Sequence, residues 1–446
     1  MIAHALAPLL LALAAPGPTD RAPEVVVLEI APQPTGATDP DHPPPLELEP
    51  PLEPAGRPLV TRPTTQRPDR PYRRAARLPH QLRAFPYGWV RADATYYSAA
   101  REGYSNLDLA GARAGGGVEA GPLTAFVTIE AAAAKGPQLF DAFVSWRIFR
   151  RNERHLSLRA GQFKAPFGYR FNAPDLVDEL SRAPISMHAA NPGRQTGLEL
   201  TLAPWRQLQG VIAALSGIGQ NRGANNTKLA FAAKLQLTPF AARPSWPQLL
   251  LVASAFTYTK TNGFSPGVET TLEFEFYRGI PATGPARRLT AGGALFWRYL
   301  SARGEFFYTY DARERDTDGD PFTPGDPLAP MIGAGGYAQL AAVLTGQAKD
   351  PATLLPKLRG AQLRDSAVEL AARYDRFQVG ARDLPGNGVS AASLGLNWIL
   401  LRHLRIFVSA HHQRLDTAAP EIPRAASWGV TGGLAGFFLG RVGLGD

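Results

Sequence analysis

Hydrophobic and polar residues alternate along much of this chain, rather than recurring every three to four positions. The segment from Leu123 to Glu130 places leucine, alanine, valine and isoleucine on one parity, and threonine, phenylalanine and glutamate on the other. The same period of two recurs in residues 140–149, 228–237, 394–400 and 404–411. Because successive side chains of a β-strand point to opposite faces, this pattern predicts strands with one apolar and one polar face.

Segments of about ten residues with this pattern fill residues 86–446, separated by Gly, Pro, Asn and Asp, which gives roughly sixteen strand-plus-turn units. The polar parity carries Arg, Lys and Glu at strand centres, which suits a face that contacts water inside a barrel. Among β-sheets, only a closed barrel satisfies every backbone donor and acceptor in a lipid bilayer. We therefore predict an all-β protein, a transmembrane antiparallel β-barrel of about 16 strands, with a large soluble β-solenoid or sandwich as the alternative.

Aromatic residues concentrate near the ends of several predicted strands, in Tyr96-Tyr97, Trp146, Phe306-Phe307-Tyr308 and Phe437-Phe438. Such rings form girdles at the two membrane interfaces of outer-membrane barrels. The alternation around Trp146 also assigns Phe140 to the apolar, lipid-facing parity. The sequence thus predicts interfacial girdles built from these segments and an outward-facing ring at Phe140.

The first 85 residues differ in composition from the rest of the chain. Residues 1–15 are apolar and end in Leu13-Ala14-Ala15, which is typical of a secretory signal peptide, although Lys and Arg are missing from the first residues. An ordinary apolar tail is the alternative. Residues 16–85 contain 17 prolines among 70 residues and few apolar clusters, which predicts a disordered Pro-rich arm before a barrel domain at 86–446. A signal peptide joined to a barrel predicts the outer membrane of a Gram-negative bacterium as the location.

The net positive charge belongs to the predicted barrel. The arm contains 9 Arg against 9 Asp or Glu, whereas residues 86–446 contain 38 Lys or Arg against 29 Asp or Glu, a difference of +9. The absence of cysteine excludes disulfides, thiolate metal ligands and a thiol nucleophile. No P-loop, dinucleotide-binding glycine pattern or HExxH motif is present. We expect no enzyme activity, no cofactor, no metal and no nucleic-acid partner.

Six short motifs, in the same order along the chain, resemble segments of the phosphate-selective porin O and P family of outer-membrane channels. The most specific is Gly161-Gln162-Phe163-Lys164-Ala165-Pro166-Phe167-Gly168, which resembles the GQFK-x-PFG strand end of that family. The other five begin at Asp141, Arg194, Gly336, Glu369 and Leu394.

This resemblance implies a sixteen-stranded barrel that assembles as a homotrimer, with an inward-folded third loop that narrows the pore. It also implies a passive channel for phosphate or other inorganic anions, in contact with outer-membrane lipid. The residues leave a phosphate preference open, because acidic side chains share the polar parity with the basic ones. Two alternatives stay open as well: a structural or adhesive barrel without an open pore, and a barrel enzyme.

By analogy with the family, residues 164–193 fold into the lumen as its constriction. Arginine suits phosphate there because it is always charged and presents a planar fork to two oxygens. The segment is mixed in sign, since it also contains three carboxylates, so salt bridges that hold the loop to the wall are the alternative role for its cations. Four basic residues are predicted to line the constriction and bind anions: Lys164, Arg170, Arg182 and Arg194.

Six further basic residues lie on the polar parity of predicted strands. A charge that faces lipid near the bilayer midplane costs about 2–4 kcal/mol, so the alternation assigns these side chains to the lumen. The predicted pore-lining residues are Arg147, Arg159, Lys228, Lys234, Arg373 and Arg405.

Two other patterns are weaker. Asp316, Asp318 and Asp320 resemble the start of a calcium loop, but no Glu follows at the twelfth position, which favours an exposed acidic loop. Ser409 and His411 share a strand face, as a hydrolase pair could, but the rest of such a motif is missing.

Overall fold

The structure is a computed structural model that describes most of the chain after residue 81. The described residues are 82–98, 106–132, 136–151, 154–171, 179–217, 219–221, 229–243, 245–264, 268–272, 275–277, 279–315, 326–351, 354–358, 365–401, 403–416, 426–439 and 442–444.

These residues form nineteen strands and one short helix. In chain order they are β1 (Leu82–Tyr97), β2 (Asn106–Ala120), β3 (Leu123–Glu130), β4 (Gln138–Arg151), β5 (Arg154–Lys164), α1 (Ile185–Ala190), β6 (Arg194–Trp205), β7 (Leu208–Leu215), β8 (Ala230–Leu237), β9 (Gln248–Phe264), β10 (Val268–Glu269), β11 (Glu275–Tyr277), β12 (Pro281–Trp297), β13 (Leu300–Arg315), β14 (Asp326–Val343), β15 (Ala367–Ala381), β16 (Leu384–Leu400), β17 (Leu404–Leu415), β18 (Ala426–Leu439) and β19 (Val442–Leu444).

Strands β1–β9 and β12–β18 form a closed antiparallel barrel of sixteen strands, in which each strand pairs with its neighbours in the chain. The barrel closes between β1 and β18, with Tyr87 opposite Leu439 and Tyr97 opposite Gly429. The short strand β19 continues this seam by pairing with the first residues of β1. Strands β10 and β11 form a separate small hairpin. The predicted fold class is confirmed.

The barrel begins earlier than the sequence predicts. Strand β1 starts at Leu82, so residues 82–85, which the composition assigned to the Pro-rich arm, belong to the wall. Leu82 pairs with Leu444 on one side and with Ala120 on the other. Composition alone did not indicate this start, because prolines precede the strand and Pro86 lies inside it. The predicted signal peptide and the remainder of the predicted arm, residues 1–81, lie outside the described residues.

The two faces of the wall have the inverted polarity of a barrel surrounded by lipid. In β17, Ile406 and Val408 are exposed on the outside, whereas Arg405 and His411 are buried on the inside. In the described part of the chain, no helix is long and apolar enough to cross a membrane.

The prediction that Phe140 faces lipid is wrong. A β-bulge in β4 interrupts the pairing between Thr128 and Ile129 of β3, and it turns Phe140 inward together with Asp141. Phe140 is completely buried. Two of the rings predicted for the girdles, Phe307 and Phe437, also point inward and are buried.

A girdle of tryptophans nevertheless surrounds one end of the barrel. Five of the seven tryptophans are exposed on or next to the short connections between strands, where they suit the lipid–water interface. They are Trp146, Trp205, Trp246, Trp297 and Trp398. In outer-membrane barrels, the end with short turns faces the periplasm.

Two long connections enter the barrel from opposite ends. Residues 165–193, called here the inner loop, connect β5 to β6 at the end opposite the tryptophan girdle. Residues 344–366, called here the lower segment, connect β14 to β15 at the girdle end, where the other connections are short.

Candidate pore constriction

The first part of the inner loop is fixed to β9 and β13. Backbone N–H groups of Tyr169 and Arg170 donate to the Glu305 carboxylate of β13, over 2.6 Å and 2.8 Å. The Gly168 N–H donates to the Ser254 hydroxyl of β9 over 3.0 Å. Aromatic side chains of the loop and its flank pack into one buried cluster with rings of β9, β13 and β14. This part of the loop is therefore held against the wall at β9 and β13.

Glu179 fixes the next described part of the inner loop. Its carboxylate accepts from Arg303, from Lys349 and from the Gln339 amide, the last over 2.8 Å. The Glu179 side chain is buried, and all three donors are buried as well. Its backbone carbonyl accepts from the Asn397 amide over 2.8 Å. A buried carboxylate with this number of charged donors is a strong anchor, because its removal leaves buried cations without their counter-charge.

Three arginines meet at residues 181–183 of the inner loop. Arg91 of β1 donates to the Ser181 carbonyl over 2.7 Å. Arg373 of β15 donates to the carbonyls of Arg182 and Ala183, over 2.7 Å and 3.3 Å. Arg182 itself donates to the Thr95 hydroxyl over 3.2 Å. The loop therefore brings cations from two distant strands to one place in the lumen.

Carboxylates and a histidine also lie at this convergence. Asp93 accepts from the Arg91 Nε over 2.8 Å. Asp375 accepts from the Ile185 N–H and, over 3.0 Å, from the Ser186 hydroxyl at the start of α1. His411 contacts the Ser181 hydroxyl over 3.1 Å and the Ser393 hydroxyl over 2.8 Å. These contacts fix the loop against β1, β15 and β17.

The four residues predicted for the constriction have two kinds of surroundings. Lys164 and Arg182 are partly exposed, and the Lys164 ammonium donates to the Phe171 carbonyl over 2.9 Å. Arg170 and Arg194 are buried. Arg194 binds Asp141 through Nε over 2.9 Å and Nη2 over 3.3 Å, as expected for a structural salt bridge. Arg194 therefore has the structural salt-bridge role that the sequence left open as an alternative, and the lining of the constriction by Lys164 and Arg182 stays a prediction.

The predicted pore-lining residues that the structure describes lie on inward parities of their strands. Arg147 is exposed near the end of β4, and Lys234 is partly exposed on β8. Arg159 pairs with Glu199, with 3.2 Å between Nη1 and Oε1, and about a third of its side chain is exposed (35%). Arg373 and Arg405 are buried, and the Arg405 Nε donates to Asn397 over 2.9 Å. Lys228 lies outside the described residues.

Sequence reasoning missed several inward cations. Arg113 lies 3.9 Å over the Phe140 ring and 3.6 Å from Glu130. Arg303 shares the inward parity of Glu305 on β13, so alternation alone could have found it. Lys349 could not be found this way, because it lies in the lower segment, outside any strand.

The lower segment carries apolar side chains into the lumen. Leu354 packs in a buried cluster with Tyr169 of the inner loop and Phe296 of β12. Leu355 contacts that cluster and also one formed by rings of β1, β4 and β18. Lys349 binds both Glu179 and Glu369, the latter over 2.6 Å. The two inserted segments therefore contact each other inside the barrel.

A profile of the family described as phosphate-selective porin O and P matches residues 124–422, about two thirds of the chain. The chain belongs to this family. The family resemblance predicted from the six motifs is thereby confirmed, and the protein is a channel-forming porin of the outer membrane. A search of curated proteins finds no match.

Solved porin structures share the fold of this family member at low sequence identity. OmpT of Vibrio cholerae has a TM-score of 0.50 and 8% identity, over 81% of this chain and 100% of its own. An anion-selective porin of Comamonas acidovorans has a TM-score of 0.50 and 12% sequence identity, and the match covers 80% of this chain and 98% of that porin. The outer membrane channel DcaP of Acinetobacter baumannii has a TM-score of 0.50 and 10% sequence identity, and the match covers 80% of this chain and 97% of DcaP.

Of the weaker sequence candidates, Ser409 and His411 lie within the described residues. The Ser409 hydroxyl accepts from the Ser181 N–H over 3.3 Å, and His411 binds two serine hydroxyls, so both residues hold the inner loop. Asp316, Asp318 and Asp320 lie outside the described residues. Within the described residues, no group of three or more His, Cys, Asp or Glu is placed to hold a metal ion.

One ion pair lies at the rim opposite the tryptophan girdle. Arg313, near the end of β13, donates to both carboxylate oxygens of Asp383 over 2.7 Å and 2.9 Å. This hydrogen bonding lowers the pKa of Asp383 below its ordinary value. Arg313 is almost completely buried in this pair.

Proposed function

We propose that this porin is a passive diffusion channel that prefers anions, with its selectivity set where the inner loop meets the wall. The observation that carries the proposal is the convergence of Arg91, Arg182 and Arg373 on residues 181–183. Asp93 and Asp375 lie beside these cations and offset part of their charge. Arg91 and Arg182 keep part of their surface open to the lumen, so a permeating ion passes within reach of their fields.

A narrow wet passage with low-dielectric walls focuses the field of such groups and raises the local concentration of anions. The excess of nine basic over acidic residues in the chain acts in the same direction. Phosphate, which the family description names, belongs to the proposed class of permeant ions. Arginine forks suit its oxygens.

The remaining assignments belong to the same proposal. Residues 1–15 act as the export signal, the following Pro-rich arm joins it to the barrel, and the barrel assembles as a homotrimer in outer-membrane lipid. Solutes diffuse passively through the channel, and the protein catalyses no reaction. We favour an open channel over a structural or adhesive barrel because water-facing charges from β1 and the inner loop line the same space.

Planar-bilayer recording of the purified protein tests the proposal. A steady conductance is expected. In a potassium chloride gradient, the reversal potential should lie closer to the equilibrium potential of chloride than to that of potassium. Replacing chloride with phosphate then gives the phosphate-to-chloride ratio. A closed barrel, or a channel that prefers potassium, would contradict the proposal.

A further inference from the structure

Three phenylalanine rings form a lateral row on the inner face of the barrel. Phe85 of β1 pairs across Gly117 of β2 with Phe126 of β3, and Phe126 pairs directly with Phe143 of β4. The Phe85 and Phe126 rings are stacked, with centroids 6.0 Å apart and planes at 16°. The Phe126 and Phe143 centroids are 5.4 Å apart. The three rings form one continuous apolar surface, called here the phenyl row.

The sequence of β2 makes room for this surface. A Cβ atom at Gly117 would lie 2.2 Å from the Cζ of Phe85, so only glycine allows that ring to lie against the wall. Gly117 ends a run of three glycines in the middle of an otherwise regular strand. All three rings of the row thus lie on strands of the barrel wall.

The phenyl row is partly exposed, although it faces the interior of a barrel whose inner wall is expected to be polar. Phe126 packs against the same buried cluster of rings as Leu355 of the lower segment. The row and the lower segment therefore contact one shared cluster of buried rings. Contiguous exposed apolar surface of this kind marks a place where a ligand or partner makes contact.

A cation lies at one end of the row. The Arg159 guanidinium carbon is 4.7 Å from the Phe143 centroid and 5.5 Å from the Phe163 centroid. Its side chain is 35% exposed while it pairs with Glu199, so part of the side chain remains open to the lumen. An arginine stacked on a ring presents its edge to a carboxylate and leaves the neighbouring rings for an apolar group.

We propose that the phenyl row and Arg159 form a contact site for aryl carboxylates, which this channel passes in preference to small carboxylates of the same charge. The inference rests on the proposed anion preference and names the class of anion that benefits most. The carboxylate of the solute is held at Arg159, and its ring packs on Phe143 and Phe126. Acetate and inorganic phosphate offer no ring to these side chains, so the row contributes nothing to their passage.

Bi-ionic reversal potentials with potassium benzoate and potassium acetate test this site. Free diffusion favours the smaller acetate, whereas the site predicts a benzoate-to-acetate permeability ratio above one. The double variant Phe126→Leu and Phe143→Leu keeps the inner wall apolar but removes two rings, and should lower the ratio by about two- to tenfold. The matched control is Phe231→Leu with Phe306→Leu, two exposed rings on the outer face, which should leave the ratio unchanged.

The chloride-to-potassium ratio, measured in the same membranes, separates the two proposals. A channel that prefers chloride but passes benzoate no better than acetate overturns the aryl carboxylate site and leaves the anion preference standing. Equal loss from the inner and outer pairs also overturns it. A channel without chloride preference contradicts both. If the double variant does not assemble, Phe85→Leu removes one ring of the row and should lower the ratio in the same direction.

Discussion

Glu179 and Lys349 form a buried ion pair between two segments that enter the barrel from opposite ends. Glu179 belongs to the inner loop, and it also binds Arg303 and Gln339 of the wall. Lys349 belongs to the lower segment and also binds Glu369. The pair connects the two inserted segments to each other and, through Glu179, to β13 and β14. We infer that it stabilises the narrow part of the lumen.

Replacing Glu179 with glutamine should destabilise the barrel interior more than an ordinary surface change. The substitution leaves Arg303 and Lys349 buried without their common carboxylate, which costs about 3–5 kcal/mol when one partner of a buried pair is removed. We expect a lower unfolding temperature of the purified barrel and frequent conductance steps, because the inner loop is less firmly held. Thermal denaturation and single-channel recording measure the two effects.

A double-mutant cycle with Lys349→Met isolates the pair. Lys349→Met should cost less in the Glu179→Gln background than in the wild type, because the shared interaction is already lost. Asp108→Asn, an exposed carboxylate on β2, serves as the control and should change neither property. Additive costs of the two core substitutions would show that the segments are not coupled through this pair.

The alternation of faces predicts opposite outcomes for arginine at two nearby positions of β3. Val127 is 47% exposed on the outer face, so Val127→Arg places a guanidinium in lipid at a cost of about 2–4 kcal/mol near the midplane. Thr124 lies on the inner parity and is partly exposed, so Thr124→Arg should be tolerated. Folding yield into lipid vesicles measures the difference. Equal yields would contradict the register of β3.

The alternation of apolar and polar residues predicted the strands of the barrel, because each strand contacts lipid on one face and water on the other along its length. The prediction failed at Phe140, where a bulge adds one residue to β4 and changes the parity. It also failed at Leu82, because a proline-rich composition concealed the first residues of β1. Bulges and strand starts depend on the partner strand, which a single segment does not reveal.

The constriction could be predicted only in part. Family resemblance located the inner loop, and strand parity located Arg159 and Arg373. The pairing of Arg194 with Asp141 joins residues that are 53 positions apart in the chain, and strand parity alone does not reveal such a partner. The contribution of Lys349 depends on the lower segment, whose path has no periodic signal. Contacts between segments far apart in the chain were therefore the part that sequence reasoning missed.

The pair between Arg313 and Asp383 predicts a pH-dependent contribution to stability. Because the folded state lowers the pKa of Asp383, the pair stabilises the fold above the ordinary carboxyl pKa of about 4, and this contribution is lost as the pH falls through the lowered value. Asp383→Asn should reduce thermal stability at neutral pH by a small amount. The difference between variant and wild type should shrink towards zero below about pH 4. A difference that stays constant with pH would argue against the pair.

The start of β1 predicts where the N-terminal region can be shortened. Deleting residues 16–81 keeps every residue of β1 and should leave barrel assembly intact. Extending the deletion through residue 84 removes Leu82, Arg83 and Ala84, which pair with both β2 and β19. This longer deletion should lower the yield of heat-modifiable barrel in the membrane fraction. Failure of the shorter deletion would show that the preceding residues are required for assembly.

Charge reversal at the constriction tests the central claim that cations at the inner loop set the anion preference. Lys164→Glu with Arg182→Glu changes two partly exposed cations beside the ion path. The control, Arg315→Glu with Arg414→Glu, makes the same change in net charge at exposed positions near strand ends. At 0.1 M salt the Debye length is about 10 Å, so charges beside the path act on the ion while distant ones are screened.

The measurement is the reversal potential of each variant in the same potassium chloride gradient. We predict that the constriction pair abolishes or inverts the chloride preference, while the control pair keeps it close to the wild-type value. Equal shifts from both pairs would contradict the account, because selectivity would then arise from the general field of a basic protein and not from the inner loop.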